Sequence, residues 1–196
     1  MLEQRIQQHF VDSADLIYQA AQTLSKPIEA AIQAMLACVT SGGKVLACGN
    51  GAAAATALGF AADFVGRFER ERPELAAIAL PADGAVLTAG GSPAQMFARQ
   101  VRALGQAGDV LLALTPSGES DNLAEAVVAA HEREMTVVAL TGQSGGRLAG
   151  LLRETDVHIG VPHTRTARIR ELHLLALHCI CDGVDAQLLG EQELPT

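Results

Sequence analysis

The sequence is poor in aromatic and in basic residues. It has no tryptophan, one tyrosine and five phenylalanines, although 49% of its 196 residues are hydrophobic. We therefore expect one domain over 1–196 with an aliphatic core of helices packed on strands. Its 14 Lys and Arg residues against 22 Asp and Glu residues give a net charge of −8. Such a chain lacks the basic stripe that binds nucleic-acid phosphates, so direct DNA or RNA binding is not expected.

Disulfide, membrane and export patterns are also missing. The four cysteines, Cys38, Cys48, Cys179 and Cys181, lack the spacing of a disulfide framework or a zinc site. This favours small buried thiols in a reducing compartment. No apolar run reaches the roughly 18 residues of a membrane span, and residues 1–6 show no signal-peptide pattern. A cytoplasmic protein without membrane contact is therefore expected.

Helical and strand-like segments alternate along the chain. Residues 3–24 and 27–41 have helical spacing, with Pro27 suited to a first helical turn, and predict two helices in an N-terminal arm over 1–41. An α/β core is predicted over 42–165 and one long terminal helix over 166–190. Within the core, the predicted strands are 44–49, 75–80, 109–114, 136–140 and 157–161, and the predicted helices are 52–68, 83–90, 93–104, 120–133 and 145–152.

This alternation predicts a five-stranded parallel sheet with helices on both faces. The terminal helices carry more apolar surface than such a core needs. That surplus indicates a symmetric oligomer, with packing inside one subunit as the alternative.

Two turns follow predicted strands at the edge where parallel sheets bind ligands, at 48–52 and 114–120. The second turn is suited to a phosphate, because it has hydroxyl donors, a glycine that lets the backbone approach closely, and a following helix whose positive end faces the ligand. Its candidate ligand-binding residues are Thr115, Ser117, Gly118 and Ser120. Ser120 can equally serve as a helix N-cap. The first turn has neither a Walker lysine nor a complete dinucleotide fingerprint.

Longer motifs now carry a family resemblance. They are Cys48-Gly-Asn-Gly51, Arg67-Phe-Glu-Arg-Glu-Arg-Pro73, Arg102-Ala-Leu-Gly105, Gly108-Asp-Val-Leu-Leu112, Val138-Ala-Leu-Thr-Gly142 and Ala167-Arg-Ile-Arg-Glu-Leu-His173. In this order they resemble the sugar isomerase (SIS) domain family, in its sedoheptulose-7-phosphate isomerase branch, and most of all that branch's DnaA initiator-associating members. The resemblance implies a flavodoxin-like fold, a homotetramer, and a phosphosugar held by Thr115, Ser117 and Ser120, with Asn50 and Gly51 beside the sugar.

The resemblance also implies a metal site in the isomerase members, made of a His and a Glu on one helix and a Gln and a His on the last helix. The matching residues here are Gly59, Asp63, Arg170 and His178, and a first-loop Ser is replaced by Ala53. Glycine has no donor atom and arginine stays charged, so the zinc site is predicted to be lost and no cofactor is expected. His178 can be an ordinary helix histidine. Arg170 can pair with Asp63, bind an anionic ligand, or lie solvated on the surface.

These substitutions lead us to expect a non-catalytic phosphosugar-binding-fold protein that binds the replication initiator DnaA and promotes its assembly at the origin. The resemblance places the DnaA contact at Leu188 and Leu189, for which helix-end packing is the alternative. The run 89–93, where relatives carry an Asn-Asp pair, weakens sugar binding. The alternative function is a phosphoheptose isomerase that converts sedoheptulose 7-phosphate to D-glycero-D-manno-heptose 7-phosphate, with Asp63 and His178 as its catalytic groups.

Overall fold

The computed structural model describes residues 1–80, 89 and 92–190 of the chain. Its centre is a parallel sheet with the strand order β2-β1-β3-β4-β5. The strands are β1 (Val45–Gly49), β2 (Ala77–Ala79), β3 (Val110–Thr115), β4 (Thr136–Thr141) and β5 (Val157–Gly160). This order is that of flavodoxin-like folds, and it confirms the predicted fold class.

The helices are α1 (Leu2–Thr40), α2 (Ala52–Val65), α3 (Met96–Leu104), α4 (Asp121–Glu132), α5 (Gly146–Ala149) and α6 (Thr166–Leu189), with a 3₁₀ turn at Pro93–Gln95 before α3. The helix predicted at 83–90 lies almost wholly outside the described residues.

Alternate residues of the central strands enter two separate cores. Val110, Leu112 and Leu114 of β3 pack with α1, α2 and α6, whereas Leu111 and Ala113 pack with α3 and α4. Side chains of a strand point alternately to its two faces, so a strand with helices on both faces is apolar throughout. This explains the short, uninterrupted apolar runs of the sequence.

The prediction of two N-terminal helices is wrong in one respect, because α1 runs unbroken from Leu2 to Thr40 with Pro27 inside it. A proline in a helix removes one backbone hydrogen bond and costs about 3 kcal/mol. The apolar stripe continues in phase across Pro27, and its buried residues are Leu16, Ala20, Leu24, Ala31, Met35 and Cys38. Burial of this stripe against α6 and the sheet offsets the local cost, so tertiary packing overrides the helix-start pattern.

Among the described residues, α6 is the one helix with the length and composition of a membrane-spanning helix. A single such helix is weak evidence for a membrane span, because a core helix can have the same properties. Ten of the 24 residues of α6 are buried, and Ile169, Leu172, Ile180 and Val184 among them pack in the core. It is further joined to the sheet by His173, whose buried Nε2 lies 3.0 Å from the carbonyl oxygen of Thr141. Helix α6 is therefore a core helix of the fold.

The four cysteines are free thiols. Cys38, Cys48 and Cys181 are buried as the sequence predicts, whereas Cys179 is exposed on α6. Cys179 lines an apolar groove between α1 and α6.

Candidate functional site

The two candidate loops meet at the switch point of the sheet, where β1 lies beside β3. Asn50 of the first loop and Asn122 of α4 exchange two amide hydrogen bonds, of 2.9 Å and 2.8 Å. These bonds hold the β1 loop against the first turn of α4. The Asn50 amide therefore faces Asn122, a partner that the sequence analysis did not single out. Gly51, the residue after Asn50, has a positive φ of 57°.

The turn after β3, residues 115–120, is held from within. Thr115 is 3% exposed, and its Oγ1 accepts a hydrogen bond of 3.1 Å from the backbone N–H of Gly118. The hydroxyl of Ser117 accepts a weaker one of 3.3 Å from the N–H of Glu119. Thr115 therefore shapes the turn, while the exposed Ser117 is free to donate its hydroxyl proton outward.

Ser120 occupies the N-cap position of α4, yet its side chain makes no capping hydrogen bond. Its backbone carbonyl accepts the first helical bonds, from the N–H groups of Leu123 and Ala124. The alternative role that the sequence offered for this hydroxyl is thus not realised. The hydroxyl remains at the positive end of a twelve-residue helix, where an anion is stabilised.

Gly118 fits against the neighbouring loop so closely that no side chain could replace its hydrogen. Its φ is +73°, and an added Cβ would lie 2.0 Å from the carbonyl oxygen of Gly145. Its own carbonyl accepts a hydrogen bond of 3.0 Å from the N–H of Leu148 in α5. The loop at 142–148 therefore supports the Ser/Thr turn from behind.

Replacing Gly118 with alanine is expected to destabilise the protein by about 2 kcal/mol or more and to weaken phosphate binding, because both the backbone angle and the Gly145 contact must change. Gly108→Ala is the matched control, since Gly108 also has a positive φ, of 87°, but open space around its Cβ. Urea unfolding and titration with inorganic phosphate would measure the two effects. Equal behaviour of the two variants would show that the tight contact at Gly145 is unimportant.

A second candidate region lies between α2 and α6, in an open cavity of about 390 Å³. The fold brings Gly59 and Asp63 of α2 into this cavity together with Arg170 and His178 of α6. Residues four apart on one helix, and eight apart on another, lie on roughly one face each, which lets the four positions converge. The remaining lining residues are Ala52, Ala55, Thr56, Phe60, Leu174 and Leu177.

Asp63 and His178 are both half-buried in this cavity. Within the described part of the chain, no hydrogen bond or ion pair engages the carboxylate of Asp63, and the predicted Arg170–Asp63 ion pair is not formed. The ring of His178 lies 5.3 Å from the ring of Phe68, centroid to centroid. Both side chains can therefore offer acid or base atoms to a molecule in the cavity.

The end of α2 that carries Asp63 is held by a buried ion pair. The Arg72 side chain donates to the carboxylate of Asp185 on α6, and the two side chains are 1% and 2% exposed. The same guanidinium donates to the backbone carbonyls of Asp63 and Phe64, each at 2.8 Å. Arg72 thereby connects α2 to α6 behind the cavity, a role that the sequence analysis did not anticipate.

The donor set of this cavity does not fit the zinc ion that the resemblance implies. Gly59 offers no atom and Arg170 is a cation, so Asp63 and His178 are the remaining ligand types. Cys181 lies near Asp63, but burial, reinforced by nearby carboxylates including Asp63, raises the pKa of its thiol to about 12. Its thiol is therefore protonated, and Cys181 is not among the described residues that line the cavity. In the part of the chain that the structure describes, no three His, Cys, Asp or Glu side chains are grouped to hold a metal. Loss of the cofactor stays a prediction.

The Asp63–His178 cavity runs along α2 and α6, and none of the described residues that line it comes from the Ser/Thr turn at 115–120. Ala52, which lines the cavity, directly follows the first loop in the sequence. Leu188 and Leu189 lie elsewhere, at the end of α6, and are 37% and 40% exposed. Residues 90 and 91 of the 89–93 run lie outside the described residues.

Comparisons with a family model, with curated proteins and with solved structures point to the same family. The model of the SIS domain family matches residues 8–142. The chain is 64% identical, over 99% of its length and 98% of the relative, to the phosphoheptose isomerase of Methylibium petroleiphilum, and 52% identical, over 95% and 96%, to that of Dechloromonas aromatica. The solved phosphoheptose isomerase of Neisseria gonorrhoeae superposes with a TM-score of 0.88 at 48% identity, covering 94% of this chain and all of that one. The one from Francisella tularensis gives 0.89 at 42%, covering 94% and 98%.

The prediction of a non-catalytic, DnaA-binding protein is wrong. Its relatives at 50–64% identity over almost the whole chain are phosphoheptose isomerases, which supports the alternative function. That prediction equated the loss of two metal-ligand types with the loss of catalysis, whereas Asp63 and His178, two acid–base side chains, line one cavity. The DnaA contact predicted at Leu188 and Leu189, and the role in replication initiation, depended on that interpretation. Neither is proposed further.

Proposed function

Since this chain belongs to the SIS domain family, we propose that it is a phosphoheptose isomerase, an intramolecular aldose–ketose isomerase acting on sedoheptulose 7-phosphate. The observation that carries the proposal is the cavity that places Asp63 and His178 together, in a chain whose relatives of similar length have that name. A carboxylate and an imidazole are the usual groups for moving protons at neutral pH.

The chemistry requires one proton to move between adjacent carbons and one between their oxygens. In the proposed direction, Asp63 removes a proton from C1 of the ketose, which leaves a cis-enediolate, and returns it to C2. His178 transfers the second proton between O1 and O2, so the carbonyl moves from C2 to C1. All atoms and electrons of the substrate are retained, and no oxidant or reductant is needed.

The Ser/Thr turn supplies the other half of a site for such a substrate. Ser117 and Ser120 have hydroxyls that the fold leaves available, and α4 directs its N-terminal N–H groups to the same place. Anchoring a remote phosphate here lets binding energy hold the sugar in a reactive position. The phosphosugar ligand is thus proposed to span the turn and the cavity.

The proposal is tested by incubating the purified protein with sedoheptulose 7-phosphate and following the aldose product by proton NMR. We expect turnover, and we expect Ser120→Ala to raise KM by about 10-fold or more, because a hydrogen bond to a charged group is lost. Ser41→Ala is the matched control, since the Ser41 hydroxyl bonds only to carbonyls at the end of α1. Absence of turnover with this substrate would refute the phosphoheptose isomerase assignment.

We further propose that the enzyme is a homotetramer acting in the cytoplasm. The exposed apolar side chains on α1, among them Leu2, Phe10 and Tyr18, support association through this helix. The apolar groove between α1 and α6 lies on the same helix. No contact with nucleic acid is proposed, given the net charge of −8.

A further inference from the structure

The Asp63–His178 cavity contains one cationic side chain, Arg170, among the described residues that line it. This residue also lines a neighbouring cavity of about 340 Å³, so it lies where the two openings adjoin. It is exposed, and no described residue forms a hydrogen bond or ion pair with its guanidinium. Its five N–H donors are therefore available to a molecule in the cavity.

The other arginines of this region are already engaged. Arg72 is held by Asp185 and by two backbone carbonyls. Arg168, two residues before Arg170 on α6, donates to Glu171 and to the carbonyl oxygen of His9. These arginines stabilise the fold, whereas Arg170 has no structural partner in the described part of the chain. This contrast separates Arg170 from a merely structural cation.

The cavity beside Arg170 has room for a ligand and a partly apolar wall. Phe60, Leu174 and Leu177 are among the apolar residues of this wall. Gly59 contributes no side chain, and a Cβ built there meets no atom within 4 Å, so a ligand has room beside α2. A ligand that fills this open cavity displaces water from the guanidinium and the apolar wall, and charges interact more strongly there than in bulk water.

A positive charge at this place assists isomerisation. Removing a proton from C1 places negative charge on O2 of the enediolate, next to the carboxylate that becomes protonated. A donor aimed at the oxygen where charge develops lowers this barrier. Asp63 and His178 provide acid–base groups, but neither is a fixed positive charge.

We infer that Arg170 is the electrophile of this isomerase: its guanidinium donates to O1 and O2 of the enediolate, so that the reaction proceeds without a metal ion. The inference rests on the proposed isomerase function and extends it. Proton transfers stay with Asp63 and His178, and Arg170 remains protonated throughout. The cation thus occupies the cavity whose side chains cannot assemble a zinc site.

The experiment compares the wild-type enzyme, Arg170→Gln and Arg170→Lys, each after treatment with a zinc chelator and after zinc is added back. Wild-type kcat is expected to be the same under both conditions. Arg170→Gln is expected to lose about 10²- to 10³-fold in kcat with a small change in KM, the usual cost of removing one oxyanion donor. Arg170→Lys is expected to retain part of the activity, since lysine keeps the positive charge but lacks the paired N–H donors of the guanidinium. Arg153→Gln, at an exposed arginine distant in the chain, is the control.

A binding measurement makes the inference testable without turnover. A phosphorylated sugar hydroxamate resembles the charged enediolate, whereas the corresponding sugar-alcohol phosphate has no charged oxygen at that place. We expect Arg170→Gln to weaken binding of the hydroxamate at least 10-fold and to leave binding of the alcohol nearly unchanged.

The outcomes separate the inference from the function on which it rests. Activity that the chelator abolishes and zinc restores would overturn the role of Arg170 and leave the isomerase standing. A wild-type protein without turnover under either condition would refute the isomerase. In that case, equal hydroxamate binding by wild type and Arg170→Gln would overturn the inference as well.

Discussion

Asp63→Asn is expected to reduce kcat/KM for the heptose phosphate by about 10²- to 10⁴-fold, because the amide cannot accept the proton that must leave C1. The loss should appear in kcat rather than in KM, since the phosphate-binding turn is unchanged. His178→Asn should give a loss of the same order through the oxygen-to-oxygen transfer. Steady-state kinetics on the purified variants measures both effects.

Two further observations test the assignment of these roles. Asp63→Glu keeps the carboxylate and is expected to retain most of the activity, whereas Asp15→Asn, on the exposed side of α1, should behave as wild type. In D₂O the wild-type enzyme should introduce deuterium at C2, and Asp63→Asn should not. A fully active Asp63→Asn enzyme would show that another group removes the proton.

Arg72→Met is expected to lower the free energy of unfolding by about 3–5 kcal/mol, since it leaves the buried carboxylate of Asp185 without its partner. One oxygen of that carboxylate, Oδ2, already lacks a hydrogen bond among the described residues, so little compensation is available. The corresponding fall in Tm is roughly 10 °C for a chain of this length. Thermal unfolding at a fixed protein concentration measures it.

The double variant Arg72→Met/Asp185→Leu should recover much of this loss, because an apolar pair of similar size can replace a buried ion pair. Arg102→Met, which removes the solvated pair with Glu132, is the control and should leave Tm nearly unchanged. If Arg72→Met were as stable as that control, the buried pair would not be what joins α2 to α6.

Much of the fold could be read from the sequence because its local patterns agree with its packing. The apolar runs at 110–115 and 136–141 can satisfy their backbone groups and bury both faces only inside a covered sheet. The exception was Pro27, where the local helix-start pattern and the long apolar stripe of α1 disagreed. The stripe prevailed because it buries many side chains, whereas proline removes one hydrogen bond.

The candidate site could be predicted only in part. Ser117, Gly118 and Ser120 lie within four consecutive residues, so their turn and its suitability for phosphate were visible as a motif. The free hydroxyl of Ser120 was not, because the choice between capping α4 and facing a ligand depends on side-chain geometry. The pairing of Asn50 with Asn122 depends on how two separate loops approach each other.

The sequence by itself determined the order of the five strands, the phosphate-type turn, and the presence of a glycine at 59 and a guanidinium at 170, because these properties reside in residue types and short spacings. Only the tertiary structure decided that Asp63, Arg170 and His178 share a cavity and that Arg72 reaches Asp185, 113 residues away. Such contacts form between residues distant in the chain, where packing of α6 beside α2, rather than any local pattern, fixes the distances between side chains.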